Sequence, residues 1–264
     1  MPPAPPIAYA HVAKSFGNGG GRVMAVDDVS LEVAEGEFLA VVGGSGSGKT
    51  TLLRLANRLI DADSGAITIE GEDVRAADPV ELRRRIGYVF QSGGLFPHMS
   101  VATNIGITPK LLGTTADAIA ARVDELLALV QLDRDRHRDR LPQELSGGQR
   151  QRVGVARALA AHPRIVLMDE PFGALDPLTR DALGQDYLAL HRKLGLTTVM
   201  ITHDMTEALL LADRIAVMQA GRLLALGKPA ELSQSSDSYV IELLRTPRRQ
   251  AERLNALLPP DGRA

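Results

Sequence analysis

Apolar and polar residues alternate in several short runs near the start of the chain, a period of two that is typical of β-strands with one buried face. Glycine-rich residues 17–21 separate the first two runs, as the turn of a hairpin would. Farther along, compact apolar runs stand between segments of helical spacing, and such runs are typical of strands buried in a parallel sheet. The pattern predicts an α/β fold. The predicted strands are 7–12, 26–33, 38–42, 165–168, 198–201 and 215–218.

The spacing becomes mostly helical between about residues 92 and 160, which predicts a helical subdomain inserted in the α/β core. A run of mixed charges at 133–140 is predicted to be a solvated connection without chemistry. The main domain is expected to span residues 7–240. Five apolar residues, three and four positions apart, define one face of a predicted helix: Ile119, Val123, Leu126, Leu127 and Val130.

A short helical tail is predicted for residues 241–264, with Thr246-Pro247 as a possible helix start. Two interpretations remain open for this tail. Its basic residues could lie at a membrane surface, or its leucines could lie against the main domain. Those leucines are Leu254, Leu257 and Leu258.

The chain has 264 residues, 45% of them apolar and 23% charged, which is ordinary for a folded protein with a sizeable core. Lys plus Arg total 30 against 32 for Asp plus Glu, so no surplus of positive charge favours a nucleic-acid partner. No apolar stretch reaches the roughly 18 residues of a membrane helix. The N-terminus lacks a secretory signal, which predicts a cytoplasmic location. The absence of cysteine excludes thiolate chemistry.

A glycine-rich segment lies between the predicted strand 38–42 and a predicted helix at 51–59. Residues 43–50 match G-x-x-x-x-G-K-[ST], the phosphate loop, in its strand-loop-helix context. Its backbone N–H groups and the helix N-terminus suit a polyphosphate. We expect Lys49 to reach the β- and γ-phosphates and Thr50 to coordinate Mg²⁺. The nucleotide-binding residues expected here are Gly43, Gly44, Ser45, Gly46, Ser47, Gly48, Lys49, Thr50 and Thr51.

Two carboxylates follow the predicted strand 165–168, the Walker B pattern. Asp169 is expected to hold the magnesium ion through water, and Glu170 to polarise the water that attacks the γ-phosphate. An apolar strand that ends in Asp-Glu is weak evidence alone. Its pairing with a phosphate loop makes the interpretation specific.

Residues 146–149, Ser-Gly-Gly-Gln, open a long predicted helix that ends before Pro163. A serine and two glycines at a helix N-terminus suit a second anion contact, since small residues permit close backbone approach. Capping of the helix by Ser146 is the simpler interpretation. Capping by serine accounts for neither the glycines nor Gln149.

With these motifs, and above all Leu145-Ser-Gly-Gly-Gln149, the chain from about residue 7 to residue 228 resembles an ATP-binding cassette (ABC) ATPase. The resemblance implies a P-loop NTPase with a RecA-like core, an N-terminal antiparallel β subdomain and an inserted α-helical subdomain, with ATP and Mg²⁺ as cofactors. It also implies a partner, a second cassette packed head to tail, most simply a homodimer. The residues that would contact nucleotide across that dimer are Ser146, Gly147, Gly148 and Gln149.

Three further positions match the family in order and spacing. The resemblance implies that Gln91 touches Mg²⁺ and senses the membrane partner, and that His203 contacts the γ-phosphate beside Glu170. Asp176, in Ala174-Leu-Asp176, would shape the dimer interface.

Relatives stack the adenine on an aromatic residue before the phosphate loop. Phe16 is the best match here, Tyr9 is the alternative, and Phe16 could equally be a core or turn residue.

Residues 89–101 and Asn104-Ile105 resemble cassettes of bacterial importers for glycine betaine, choline and related osmoprotectants. Such a cassette would drive transmembrane permease subunits from the cytoplasmic face of the membrane, with a solute-binding protein acting through the permease. Leu95, Phe96 and Met99 would then form a socket for a coupling helix, or else pack inside the helical subdomain. His98 lacks neighbouring ligands and is expected to be structural.

The sequence departs from the family pattern in three places. Gly44 stands where relatives often carry Pro, and Thr103 replaces a common acidic residue; neither change threatens hydrolysis. The tail is too short for the pair of regulatory CBS domains that many osmoprotectant cassettes carry. Two alternatives stay open: a cassette for another small solute such as an amino acid, and a soluble cassette ATPase outside transport. The complete set of Lys49, Gln91, Asp169, Glu170 and His203 argues against a third, an ATP-gated binding module without turnover.

Overall fold

The computed structural model describes residues 4–17, 21–91, 93–173 and 175–257. Four N-terminal strands form an antiparallel sheet in the order β2-β1-β4-β5. Its first pair joins Ile7 to Val33 and Phe16 to Val23, with bulges between. The predicted turn at 17–21 lies partly outside the described residues. The strands are β1 (Ile7–Phe16), β2 (Val23–Val33), β4 (Ser64–Ile69) and β5 (Glu72–Asp73).

Six strands form the second sheet, in the order β10-β9-β3-β8-β7-β6. All neighbours in it are parallel except β9 and β10, which form an antiparallel pair at one edge. All five residues of β3, and all five of β7, are buried, as the compact apolar runs predict. These strands are β3 (Phe38–Val42), β6 (Ile86–Val89), β7 (Ile165–Asp169), β8 (Thr197–Thr202), β9 (Arg214–Gln219) and β10 (Arg222–Gly227).

Ten α-helices complete the described parts of the chain, and the segment between β6 and β7 is helical as predicted. Val123, Leu126 and Leu127 of the helix Ala116–Leu129 are buried, as is Val130 directly after it, and Ile119 is partly buried, so the predicted helix face is confirmed. The helices are α1 (Lys49–Ala56), α2 (Pro79–Arg85), α3 (Val101–Leu111), α4 (Ala116–Leu129), α5 (Arg134–His137), α6 (Gly147–Leu159), α7 (Pro177–Leu194), α8 (Met205–Leu211), α9 (Pro229–Leu232) and α10 (Ser238–Leu257).

Two hydrophobic clusters cover the two faces of the six-stranded sheet. Alternate residues of β3 go to opposite clusters: Phe38, Ala40 and Val42 to one, Leu39 and Val41 to the other. The first cluster joins the sheet to the inserted helices and to α7, α8 and α10. The second joins it to α1 and the antiparallel sheet. The class predicted from the sequence, an α/β core with an antiparallel N-terminal sheet and a helical insertion, is confirmed.

Two predictions, for the helix after the phosphate loop and for the charged run at 133–140, need correction. The helix after the phosphate loop covers Lys49–Ala56 rather than 51–59, because Arg58 adopts a left-handed backbone (φ 53°) that ends it. The run at 133–140 is not a plain connection, since it contains α5. Its carbonyl groups at Arg138 and Arg140 accept the N–H groups of Ala102 and Val101, the first residues of α3.

The C-terminal tail also differs from its prediction. A single helix, α10, runs through Pro247 instead of starting there. Val240 is fully buried, whereas Leu254 and Leu257 are 55% and 78% exposed and do not lie against the domain. The helix simply continues past the surface on which its first turns pack. Leu258 lies outside the described residues.

Among the described residues, none of the helices has the length and hydropathy needed to span a bilayer.

Candidate active site

Four parallel strands place the candidate residues beside the carboxyl ends of the strands in the six-stranded sheet. The phosphate loop (residues 43–50) follows β3, Glu170 follows β7 and His203 follows β8, each directly, while Gln91 comes two residues after β6. Because the carboxyl ends of parallel strands share one edge, residues far apart in sequence meet there. The contacts described next show which of these residues meet.

The phosphate loop is closed around the ammonium group of Lys49. Its Nζ donates to the carbonyl oxygens of Gly43 at 2.8 Å and Gly44 at 2.9 Å. The whole Lys49 residue is only 5% exposed. Burial lowers the pKa of Lys49, while the carboxylates of Glu170 and Asp169 act in the opposite direction. The Lys49 ammonium group is therefore hydrogen-bonded to backbone carbonyl oxygens, which phosphate oxygens can replace as its acceptors.

Gly48 has the tightest surroundings of the loop. Its φ is 101°, and a Cβ atom built there would lie 2.0 Å from the carbonyl oxygen of Ala25 on β2. Any side chain would collide with backbone, so only glycine fits this step into α1.

Thr50 and Asp169 form the oxygen-rich side of the site. The Thr50 hydroxyl donates to Oδ1 of Asp169 at 3.1 Å, and the Tyr88 hydroxyl lies 3.5 Å from Oδ2. Burial raises the pKa of Asp169, and the bond from Thr50 acts against that shift. A hydroxyl and a carboxylate fit Mg²⁺, which takes few protein ligands and completes its shell with water and phosphate.

Glu170 stands at the centre of a second group of contacts. Its Oε2 accepts a hydrogen bond from Nε2 of Gln91 at 2.9 Å and lies 3.3 Å from Nδ1 of His203. The Glu170 backbone is left-handed (φ 45°), an unfavourable conformation for a residue with a side chain. Its N–H donates to Ile201 on β8 at 3.0 Å, which helps to hold that conformation.

Residues 146–149, the signature segment, start α6 with a complete capping box. Ser146 Oγ accepts from the N–H of Gln149, and Oε1 of Gln149 accepts from the N–H of Ser146. Capping therefore explains Gln149 as well as Ser146, which the sequence reasoning missed. Gly148 has a packing reason too, because a Cβ there would lie 2.6 Å from Cγ2 of Thr179 on α7. Ser146 and Gly147 are exposed.

Within the described ranges, the signature segment makes no hydrogen bond to the phosphate loop of its own chain.

Asp176 caps α7 by accepting from the N–H of Thr179 at 3.0 Å, and its hydrogen bonds lower its pKa. Its neighbour Ala174 lies outside the described residues.

The two aromatic candidates for adenine stacking differ sharply in exposure. Tyr9 is 3% exposed and its hydroxyl donates to the carbonyl of Leu52, so the Tyr9 alternative is excluded by burial. Phe16 is 46% exposed at the end of β1, with Nζ of Lys14 5.5 Å from its ring.

The residues expected to form a socket divide between surface and core. Leu95 packs against the first hydrophobic cluster, whereas Phe96 is 41% exposed and lines a groove of about 440 Å³ with Phe90. Arg157 supports this groove: it donates to the carbonyls of Gly93 and Gly94 and lies about 6 Å from both phenylalanine rings.

Four residues near the site escaped the sequence reasoning. Tyr88 touches Asp169, His137 lies 3.2 Å from Nε2 of Gln149, and Arg180 bridges the carbonyl of Leu175 and the carboxylate of Asp204. The fourth is Tyr239, whose hydroxyl touches the phosphate loop. The cap of α5 by Asp133 could have hinted at order around His137; the others lack a local signal.

This fold and site define a class, the nucleotide-binding cassettes. The chain belongs to the ABC transporter family, whose model matches residues 26–173. It is 50% identical over 222 residues to the glycine betaine/carnitine/choline transport ATP-binding protein of Bacillus subtilis, with 84% of this chain and 58% of that protein covered. It is 51% identical over 235 residues to the glycine betaine uptake system ATP-binding protein of Escherichia coli, with 89% and 75% covered. The chain thus spans under two thirds of the Bacillus relative.

The chain is also similar to an import cassette for a different solute and to a solved cassette structure. A sulfate/thiosulfate import ATP-binding protein of Shewanella oneidensis is 47% identical over 243 residues, covering 90% of this chain and 66% of that protein. The dimeric structure of an ATP-binding cassette bound to ADP and phosphate superposes with a TM-score of 0.77 at 32% identity, covering 84% of this chain and 98% of that one.

Proposed function

We propose that this chain is the ATP-hydrolysing subunit of an importer for glycine betaine, choline or a related osmoprotectant. The observation that carries the ATPase half is the meeting of Lys49, Thr50, Asp169 and Glu170 at one sheet edge. The osmoprotectant half rests on relatives about 50% identical whose names state that transport.

The site residues divide the reaction among them. The loop N–H groups and Lys49 hold the phosphates of ATP, and Thr50, Asp169 and Gln91 hold Mg²⁺. The ion, when bound, neutralises negative charge on the phosphates. Glu170 orients the attacking water and accepts its proton. Gln91 and His203 both contact Oε2 of Glu170 and so orient its carboxylate. His203 also contacts the γ-phosphate beside Glu170.

The other half of the site comes from a second copy of the chain. Exposure of Ser146 and Gly147 at the start of α6 supports contact in trans. Ser146, Gly147, Gly148 and Gln149 of one copy would close over nucleotide on the other, with Asp176 at the interface. Phe16 would stack on the adenine, since it is the exposed aromatic of β1.

Permease subunits are the proposed partners at the cytoplasmic face of the membrane, and a solute-binding protein acts through them. The groove beside Phe90 and Phe96 offers exposed aromatic surface for a permease helix. Residues 7–240 would form the ATPase domain and residues 241–264 its tail.

A cassette for another solute is the second candidate, because the sulfate relative is 47% identical, close to the 50% of the betaine relative. Deletion of the gene in its own host, followed by uptake of labelled glycine betaine, choline and sulfate, separates the two. We expect loss of quaternary-amine uptake, restored by the wild-type gene and not by Glu170→Gln. Loss of sulfate uptake with normal betaine and choline uptake would overturn the substrate assignment.

A further inference from the structure

The C-terminal helix touches the phosphate loop through one hydrogen bond. The hydroxyl of Tyr239, in the first turn of α10, accepts the backbone N–H of Gly44 at 2.9 Å, across 195 positions of sequence. A Cβ atom on Gly44 would lie 3.5 Å from that hydroxyl, an ordinary van der Waals contact, so an alanine at position 44 would leave the hydroxyl in place.

Tyr239 is held in place by its own neighbours. The side chain of Asp237 caps α10 and accepts from the N–H groups of Tyr239 at 2.9 Å and Val240 at 3.1 Å. Val240 is fully buried in the first hydrophobic cluster, and the Tyr239 ring packs at the edge of the same cluster. The hydroxyl therefore reaches the loop from a fixed support.

Gly44 connects this support to the ammonium group of Lys49. The carbonyl oxygen of Gly44 accepts from Nζ of Lys49 at 2.9 Å and from the N–H of Ser47 at 3.2 Å. One side of the residue is thus held by α10 and the other by the cation expected to meet the phosphates. A shift of Gly44 changes where that cation sits.

We propose that Tyr239 is a positioning residue: through Gly44 it holds the first turn of the phosphate loop in its binding conformation and raises the affinity of the site for ATP. The first turn of α10 is then part of the nucleotide site. This role concerns nucleotide binding by the chain itself and does not depend on the solute that a transporter carries.

The test is a double-mutant cycle on the full-length chain, read as the Kd for a non-hydrolysable ATP analogue with Mg²⁺. Tyr239→Phe removes the acceptor and keeps the ring. Gly44→Pro removes the donor from the loop side, and Gly44→Ala is its matched control because it keeps the N–H. Thermal midpoints of all variants report on folding.

We expect Tyr239→Phe to raise the Kd about 2- to 10-fold in the wild-type and Gly44→Ala backgrounds, the size of one net hydrogen bond. In the Gly44→Pro background, Tyr239→Phe should raise the Kd no further. The thermal midpoint of each variant that carries Tyr239→Phe should match that of the same background without it. An unchanged Kd in wild type, or an equal rise in the Gly44→Pro background, would overturn the proposal. So would a lowered thermal midpoint with an unchanged Kd, which is the mark of a purely structural contact.

Discussion

Nδ1 of His203 lies 3.3 Å from Oε2 of Glu170, although the two residues are 33 positions apart in sequence. The two residues directly follow the adjacent parallel strands β8 and β7, and Asp169 pairs with Ile201 in that ladder. Sheet register therefore sets the contact, and neither side chain needs a long loop to reach the other.

Replacement of His203 by Ala should lower ATP turnover about 100-fold, the usual cost of losing one stabilising group at a reacting centre. The affinity for ATP should change much less, because Lys49 and the loop stay intact. Steady-state phosphate release and analogue binding separate the two effects. His98→Ala is the control, since His98 is exposed and its ring lies beside Phe96; equal loss in both variants would contradict the role of His203.

Lys49→Met should weaken ATP binding about 10- to 100-fold, because a buried charged donor is lost from the phosphate site. The fold should survive, since the ammonium group contacts only loop atoms among the described residues. Equilibrium binding measures the loss. Lys110→Met, an exposed lysine on α3, should bind like wild type. Near-normal affinity in Lys49→Met would remove Lys49 from the site.

Gly48→Ala should destabilise the fold by about 2–4 kcal/mol and abolish ATP binding, since the new Cβ meets the Ala25 carbonyl at 2.0 Å. Gly46 offers a matched control, because its φ of 75° is also left-handed but a Cβ there meets nothing within 4 Å. Gly46→Ala should cost only about 1 kcal/mol. Chemical denaturation measures both. Similar losses would show that backbone strain, not the collision, dominates.

The buried carboxyl group of Glu207 on α8 should make the free energy of unfolding depend on pH. Burial raises its pKa most, Asp204 acts in the same direction, and Thr202, Arg180 and His203 oppose the shift. A carboxyl whose folded pKa is raised favours the folded state at low pH and loses that effect as pH rises above 4.5 through the folded pKa. The stability of wild type relative to Glu207→Gln should therefore fall as pH rises through that window. A difference independent of pH would contradict the shift.

The sequence predicts the class of fold and the grouping of the motifs well, for a physical reason. Strands β3, β7 and β8 are compact apolar runs that can only be buried, and each is followed by a polar motif at the same edge. Burial of the strands thus brings the motifs together.

Contacts made by residues without a local pattern could not be predicted. Tyr239 reaches Gly44 only because α10 packs beside α8, a result of tertiary packing that sequence spacing does not encode. Tyr9 and Phe16 look alike in sequence, but the register of β1 buries one and exposes the other. The exposed end of α10 shows the same point, since Leu254 is apolar and yet 55% exposed.

The most direct test of the account is Glu170→Gln, which keeps the shape of the side chain and removes the proton acceptor. With Mg²⁺ and ATP, light scattering after gel filtration reports the dimer and phosphate release reports turnover. We predict normal ATP binding, a dimer that persists while ATP is bound, and turnover lower by about 10²–10⁴-fold. Turnover at the wild-type rate would contradict the central claim that Glu170 activates the water at a site shared by two copies.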